Sequence, residues 1–453
     1  MRKSQKLGIG IIVATLIVGT VVGHHSYATT PGVNNLVSVN NTGNGQGGDG
    51  NSPHDFNGLN QAVSANGKFV AFTSNATNLV ANDTNGKADL FVRDLENNTT
   101  TRVDVSTSGA QANNGINDDE VAISSTGRYV VFSSLATNLI DGQTISTPQI
   151  YIRDMVTNMT AVVTQSSSGA LANNAGDVAA VSSDGRFVVW EGTLETNLVS
   201  SETNTQSYYV YVTDLKDRTT KVLNHTPATG QYFAGGISSS CDGSFITFQT
   251  PLQLDPSDTD SAYDIYLVDM RNGMTITDIT ASTNTTASSQ LATISCNGDY
   301  VTFSSKDTSL VTSGTVPADT NTHQYLYDRL SGSITLVDTS SSGTVANLGV
   351  NADHGGVDDQ GNVFFYSSSS NLIDGHTMYF PEVYLKHHDT GVTELISRTP
   401  GGSDWSGATS VGGGITVSAD GRTAVYRTGA ASTTLLNSDT NGYGDVIASL
   451  TGL

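Results

Sequence analysis

The sequence predicts an all-β fold, a seven-bladed β-propeller of four-stranded antiparallel blades, and three observations predict it. One phrase recurs along the chain: Ser182-Ser183-Asp184-Gly185-Arg186-Phe187-Val188-Val189-Trp190 returns as Ser64-Ala65-Asn66-Gly67-Lys68-Phe69-Val70-Ala71-Phe72 and as Ser124-Ser125-Thr126-Gly127-Arg128-Tyr129-Val130-Val131-Phe132. With further copies around Gly243, Gly298, Gly361 and Gly421 it marks seven units of similar length, and self-similarity at such a period signals a repeat architecture. In each copy a polar turn precedes a run that is apolar on consecutive residues, which requires burial on both faces of a sheet. Finally, a lone strand-like segment, Asn35 to Val39, precedes the first unit while the last unit lacks its fourth strand.

Taken in order, the chain opens with Arg2, Lys3 and Lys6, an uncharged apolar run from Leu7 to Gly23, and Ser26-Tyr27-Ala28 as a small-x-small cleavage site. This reads as an export signal over residues 1–28, with a single propeller domain over 29–453. An uncleaved anchor is the alternative, because the run approaches the lower limit of a spanning helix. The expected location is periplasmic or extracellular, with no membrane insertion after cleavage. The formal charge of −22 becomes more negative by three once the leader is removed. Nucleic acid and anionic membranes are therefore excluded as partners, since both are bound by clustered Lys and Arg.

Asn40 to Gly58 is rich in Gly and Asn and reads as a loop into the first unit. Strand a of that unit, Leu59 to Ser64, is poor in bulky side chains, as are Val121-Ala-Ile-Ser and Ala179-Ala-Val-Ser, so it should line a crowded central axis. Strand b, Phe69 to Thr73, is the doubly buried run. In the b–c loop the phrase Ala76-Thr-Asn-Leu-Val80 recurs at Ala136 and Glu195, its leucine expected to plug the loop into the core. Strand c, Asp89 to Asp94, ends on an Asp that begins a hairpin turn into strand d. In the last unit Asp445 to Leu450 is strand c, and Asn35 to Val39 supplies the missing strand d. Both ends of the chain then complete one blade and remove the exposed edges of an open sheet.

The Ser-x-Asp-Gly-Arg-Phe-Val-x-Phe phrase, followed by an Ile-Tyr-Val-x-Asp-Leu strand, resembles the WD-repeat-like motif of TolB-type propellers over nearly the whole mature chain. The resemblance implies the fold and no particular activity. Two features depart from it: the Pro usual in the turn is Ser, Ala, Thr or Cys here, and no room precedes Asn35 for the N-terminal domain of TolB itself. The chain is expected to be a free-standing relative.

Searching for chemistry finds little. The Asp-box spacing of sialidases is absent from the turn phrase, no Gly-x-Ser-x-Gly elbow exists, and the blades leave no residues for a hydrolase domain. His323 and His376 fall on b–c loops, His54 before blade 1 and His354 near strand a of blade 6. Convergence of these four at the central mouth would suggest a metal-dependent lyase, but no carboxylate or Gln recurs with them and scattered surface histidines are the preferred reading. His387 and His388 read as a solvated c–d turn. Cys241 and Cys296 each stand two residues before a turn glycine, leaving a disulfide or two buried thiols open.

One acidic pattern remains. Asp83-Thr-Asn85-Gly-Lys-Ala-Asp89, Asp258-Thr-Asp260-Ser-Ala-Tyr-Asp264 and Asp439-Thr-Asn441-Gly-Tyr-Gly-Asp445 place oxygen ligands at positions 1, 3 and 7 of a tight loop. Such a set suits calcium, although no Glu follows at position 12 of an EF-hand register; the alternative is a turn in which Asp and Asn cap backbone N–H groups. The sequence thus points to an exported, monomeric module that binds a protein or glycan at its loop face. The competing expectation is a metal-dependent, lyase-like enzyme acting on extracellular polysaccharide.

Overall fold

Seven sheets arranged in a ring account for the chain in the computed structural model, whose described residues are 33–41, 48–50, 61–173, 176–193, 198–199, 208–225, 234–281, 287–312, 316–350, 355–375, 381–398, 414–428 and 443–453; side chains of 117–120 are excluded. Blade 2 shows the pattern, with strands a to d at Ile116–Ile123, Tyr129–Ser134, Gln149–Asp154 and Met159–Val162, all antiparallel. In blade 1 strand a reduces to bridges at Gln61 and Val63, beside the ladder Phe69–Ser74, Asp89–Asp94 and Thr99–Arg102. Among the described residues the one helical turn is Met270–Asn272.

The turn phrase explains the a–b hairpin. Ser182 Oγ donates to Asp184 Oδ1 and accepts from Phe187 N, while Asp184 Oδ1 also accepts from Arg186 N, and the same set recurs around Asn66, Asp242, Asn297 and Asp420. Gly127 sits at φ 74°, which side chains rarely adopt, and a Cβ there would overlap the Phe69 ring of the preceding blade. Arg186 then clamps Asp214 at the end of strand c from 2.6 Å and lies over the Phe187 ring.

Burial of strand b on both faces follows from blade stacking. One core joins Ala71, Leu90 and Val92 of blade 1 to Val121, Val130 and Phe132 of blade 2. Within blades, an aromatic of strand b stacks on one of strand c, as in Phe72 on Phe91, Trp190 on Tyr211 and Phe248 on Tyr266. Leu79 and Leu139 of the b–c loop phrase are buried in these cores.

The two chain ends meet in blade 7. Val33–Leu36 pairs with Asp445–Leu450, from Val33 opposite Leu450 to Leu36 opposite Ile447. The pairing starts two residues earlier than Asn35. Val37 N still donates to Val446 O, so Val37 occupies the place of Val103 in blade 1, where Val103 N donates to Leu90 O.

Candidate functional site

At the axis the residues two before the turn glycines join hands. Ala65 N donates to Ser125 O, Ser125 Oγ to Ser183 Oγ, Ser183 N to Cys241 O, Cys241 N to Cys296 O, Asp359 N to Ala419 O and Ala419 N to Ala65 O; Asn297 N closes the remaining gap on Asp359 Oδ1. Cys241 and Cys296 are bonded across this ring, their Cα atoms 4.6 Å apart. Deeper in, Gln61 crosses the axis: its Nε2 donates to Ser239 O at 3.1 Å and its Oε1 accepts from Val181 N at 2.9 Å. Blades 1, 3 and 4 are thereby tied together, and the cavity that Gln61 shares with Ile123, Cys241, Thr293 and Val417 holds only about 40 Å³.

A second polar layer encircles the molecule where strand c begins. In every blade the N–H of the second residue of strand c is met by a side-chain acceptor just after strand d: Asp104, Thr164, Asn224, Thr280, Asp338, Ser397 and Ser38. The first residue of strand c lies beside this acceptor and is itself buried, whether Asp89, Gln149, Asp264, His323, Glu382 or Asp445. Several of the acidic residues singled out by sequence belong to this layer.

In blade 1, Asp83 and Asp89 face each other across Arg102, whose Nη2 is 3.1 Å from Asp83 Oδ2 and whose Nε is 3.2 Å from Asp89 Oδ2. Asn85 Nδ2 donates to Asp89 Oδ1, and Gln111 Nε2 donates to both carboxylates. Burial, then repulsion from Asp89, pushes the Asp104 carboxyl well above the usual range. The chain thus supplies this set with its own cation.

Blade 4, with strands Gly235–Ser239, Phe245–Thr250, Asp264–Asp269 and Thr275–Asp278, differs at two places. Asp260 replaces Asn85. Asp278, paired with Tyr266, stands where Arg102 pairs with Phe91. Asp258, Asp264 and Asp278 are all buried and bring carboxylate oxygens within 4.8 Å of one another. Thr280 N donates to Asp278 Oδ1, Thr280 Oγ1 donates to Asp264 Oδ1, and Tyr266 Oη contacts Asp258 Oδ2, but Asp278 Oδ2 is buried with no hydrogen-bond partner. Burial and mutual repulsion push Asp264 up to about 7 and Asp278 up to about 6. Among the described residues no Lys, Arg or His forms an ion pair with any of the three. Asp260 instead caps Ala262 N. Asp445 of blade 7 accepts from Ser38 Oγ, whereas Asp439 and Asn441 lie outside the described residues.

The histidine expectation needs correction. His323 is neither on a loop nor at the surface; it is the fully buried first residue of strand c in blade 5, His323–Asp328. Its Nδ1 is 2.8 Å from Asp338 and its Nε2 is 3.3 Å from Asp319. Burial opposes its charge, but hydrogen bonds and attraction from Asp338 and then Asp319 prevail and hold its pKa above the ordinary value. His54, His354 and His376 lie outside the described residues. His387 and His388 occupy the c–d turn, with His387 near Glu394 and His388 edge-on to Tyr300.

Sequence reasoning missed Asp278, Gln61 and Glu191. Glu191 lies in strand b of blade 3, Phe187–Gly192, with Oε2 lacking a hydrogen-bond partner, and burial followed by repulsion from Asp177 pushes its carboxyl up to about 8. Its signal was visible: a lone acid inside an apolar run.

No family model matches the sequence, and no curated protein matches it significantly. Among solved structures, an oligogalacturonate lyase in complex with manganese and the oligogalacturonate lyase of Vibrio parahaemolyticus each align over 89% of this chain and 91% of their own, at 12% identity and a TM-score of 0.52. TolB from Acinetobacter baumannii aligns over 68% of this chain and 58% of its own at 15% identity, with a TM-score of 0.38 at which the likeness carries no argument. At these identities the lyase likeness establishes the propeller fold alone.

Proposed function

We propose that this chain is an exported, monomeric binding module, a relative of the TolB-type propellers that presents a surface to a protein or glycan. The observation that carries the reading is the closed axis. Propeller enzymes that work at a central mouth need room there, whereas Gln61, the turn ring and the Cys241–Cys296 bond occupy it here. His323, the one described member of the four candidate histidines, is committed to Asp338 inside blade 5.

A polar groove offers one seat for a partner, on the turn side and so opposite the loop face to which the sequence points. Between blades 6 and 7, Gln360, Asn362, His387, Asp389, Asp420 and Arg422 line a concavity of about 700 Å³. Amides, carboxylates and a guanidinium are the hydrogen-bonding set that sugar hydroxyls or peptide groups require. A glycan array beside an unbiased pull-down from envelope extract tests the proposal, with Asn362→Ala and Arg422→Ala expected to weaken the hit. Depolymerisation of oligogalacturonate or another uronic-acid polymer by the purified protein would overturn it in favour of a lyase-like enzyme, and loss of that activity in a His323→Ala protein shown by circular dichroism to stay folded would place the chemistry in blade 5.

A further inference from the structure

We propose that blade 4 holds a calcium ion between Asp258, Asp264 and Asp278, in the place that the Arg102 guanidinium fills in blade 1. Two blades of one fold face the same electrostatic problem and solve it differently. In both, an acid from the b–c loop and an acid opening strand c converge under the end of strand d. Blade 1 answers with Arg102, 3.1 and 3.2 Å from the two carboxylates, and with the amide donors of Asn85 and Gln111. Blade 4 substitutes an acid for the arginine at the same register position and an acid for the asparagine at the same loop position. Two donors have become acceptors, so the chain no longer supplies the positive charge.

The unpaired oxygen makes this more than an acidic cluster. Asp278 is only 6% exposed, its Oδ1 receives Thr280 N, and its Oδ2 is buried with no hydrogen-bond partner while a carboxylate oxygen of the residue lies within 4.8 Å of those of both other acids. A buried unsatisfied carboxylate oxygen is costly unless a cation or donor meets it. The three carboxylates carry six oxygens, four of which accept hydrogen bonds; oxygen donors of this kind suit calcium, which takes mono- and bidentate carboxylates, whereas magnesium demands a tighter octahedron and keeps its waters. Bound there, the ion would tie the b–c loop through Asp258, strand c through Asp264 and strand d through Asp278, pinning that loop. The inference is independent of the partner proposed above.

Calcium binding to the intact, EGTA-dialysed protein decides it, by equilibrium dialysis and by thermal melting with and without 1 mM calcium chloride, a concentration typical of extracellular sites. The wild type is expected to bind one more calcium per chain than Asp278→Asn, and to gain melting temperature that the variant does not. Asp278→Arg rebuilds the blade 1 arrangement, so it should fold without calcium, melt no lower than the calcium-free wild type, and lose the same one ion. Equal calcium stoichiometry in wild type and Asp278→Asn would overturn the proposal, as would equal affinity for magnesium. A calcium-free wild type that melts as high as the calcium-loaded one would show that protons shared among the three carboxyls suffice, and would overturn it too.

Discussion

Removing residues through Val39 should unfold or aggregate the protein, while removing residues through Gly32 should change little. The deletion strips strand d from blade 7, exposing Asp445–Leu450 as an edge that can pair with another chain. It also removes Val37, 0% exposed, and Val39, 5% exposed, each worth about 1.5–3 kcal/mol of burial. Asp445 loses the Ser38 hydroxyl at 2.7 Å and is left buried without that donor, at a cost of about 1–3 kcal/mol. Arg398 O in blade 6 loses the Asn34 amide that donates to it at 2.8 Å. Together with the strand pairing, these losses come to on the order of 5–10 kcal/mol, comparable to the whole stability of a typical domain at about 5–15 kcal/mol. Urea midpoints and size-exclusion profiles of the two truncations measure the difference. Equal midpoints for both would refute the closure register.

Three further outcomes follow from the buried polar groups and the axis. Breaking Cys241–Cys296 by double alanine substitution releases a separation of 55 residues and should cost about 4 kcal/mol in the chain-entropy account; two thiols titrating in denatured, non-reduced protein would remove the basis for it. His323→Ala leaves Asp338 buried without its partner and should cost about 3–5 kcal/mol at pH 6. Because the folded pKa of His323 is raised above 6.5, its pairing is fully present below that pH and is lost as pH rises through the folded value, so the penalty should shrink toward pH 9; a penalty independent of pH would contradict the charged pair. Glu191 is raised from 4.5 to about 8, so the native state binds its proton more tightly and stability falls across that window. Glu191→Gln should raise the urea midpoint by an amount that grows from pH 4.5 to 8 and then levels, and a gain constant with pH would refute buried ionisation.

The repeat was legible because its chemistry is local. All seven turns have a glycine at positive φ, five of them add a Ser-to-Asp or Ser-to-Asn bond two residues apart, and strand b is a largely apolar run, so the copies announce themselves. The ring closure was legible for the same reason: Asn35 to Val39 resembles Thr101 to Val105 at the end of the blade 1 repeat, though its pairing begins at Val33. His323 was misread because Asp319-Thr-Asn321 is followed by the strand two residues sooner than Asp83-Thr-Asn85 is, which hides that His323 and Asp89 hold the same place. Asp278 carried no motif at all. Its meaning depends on standing opposite Tyr266 as Arg102 stands opposite Phe91, and a register is a property of the sheet.

That register explains why one slot carries such different side chains. The slot after strand d must accept a hydrogen bond from strand c in all seven blades, and the residue opening strand c is buried against it. A hydroxyl accepts the N–H and still has a proton to pass on, as Thr164 does to Gln149 at 2.7 Å and Ser38 to Asp445 at 2.7 Å. A carboxylate in the slot has none: Asp338 meets His323 Nδ1 at 2.8 Å, while burial and repulsion from Asp89 push the Asp104 carboxyl well above the usual range. In blade 4 Thr280 has only one hydroxyl proton, directed to Asp264 at 2.8 Å, while Asp278 and Asp258 converge on the same space. The slot's one proton goes to Asp264, so Asp278 keeps a buried carboxylate oxygen without a partner at the register position where blade 1 sets the Arg102 guanidinium.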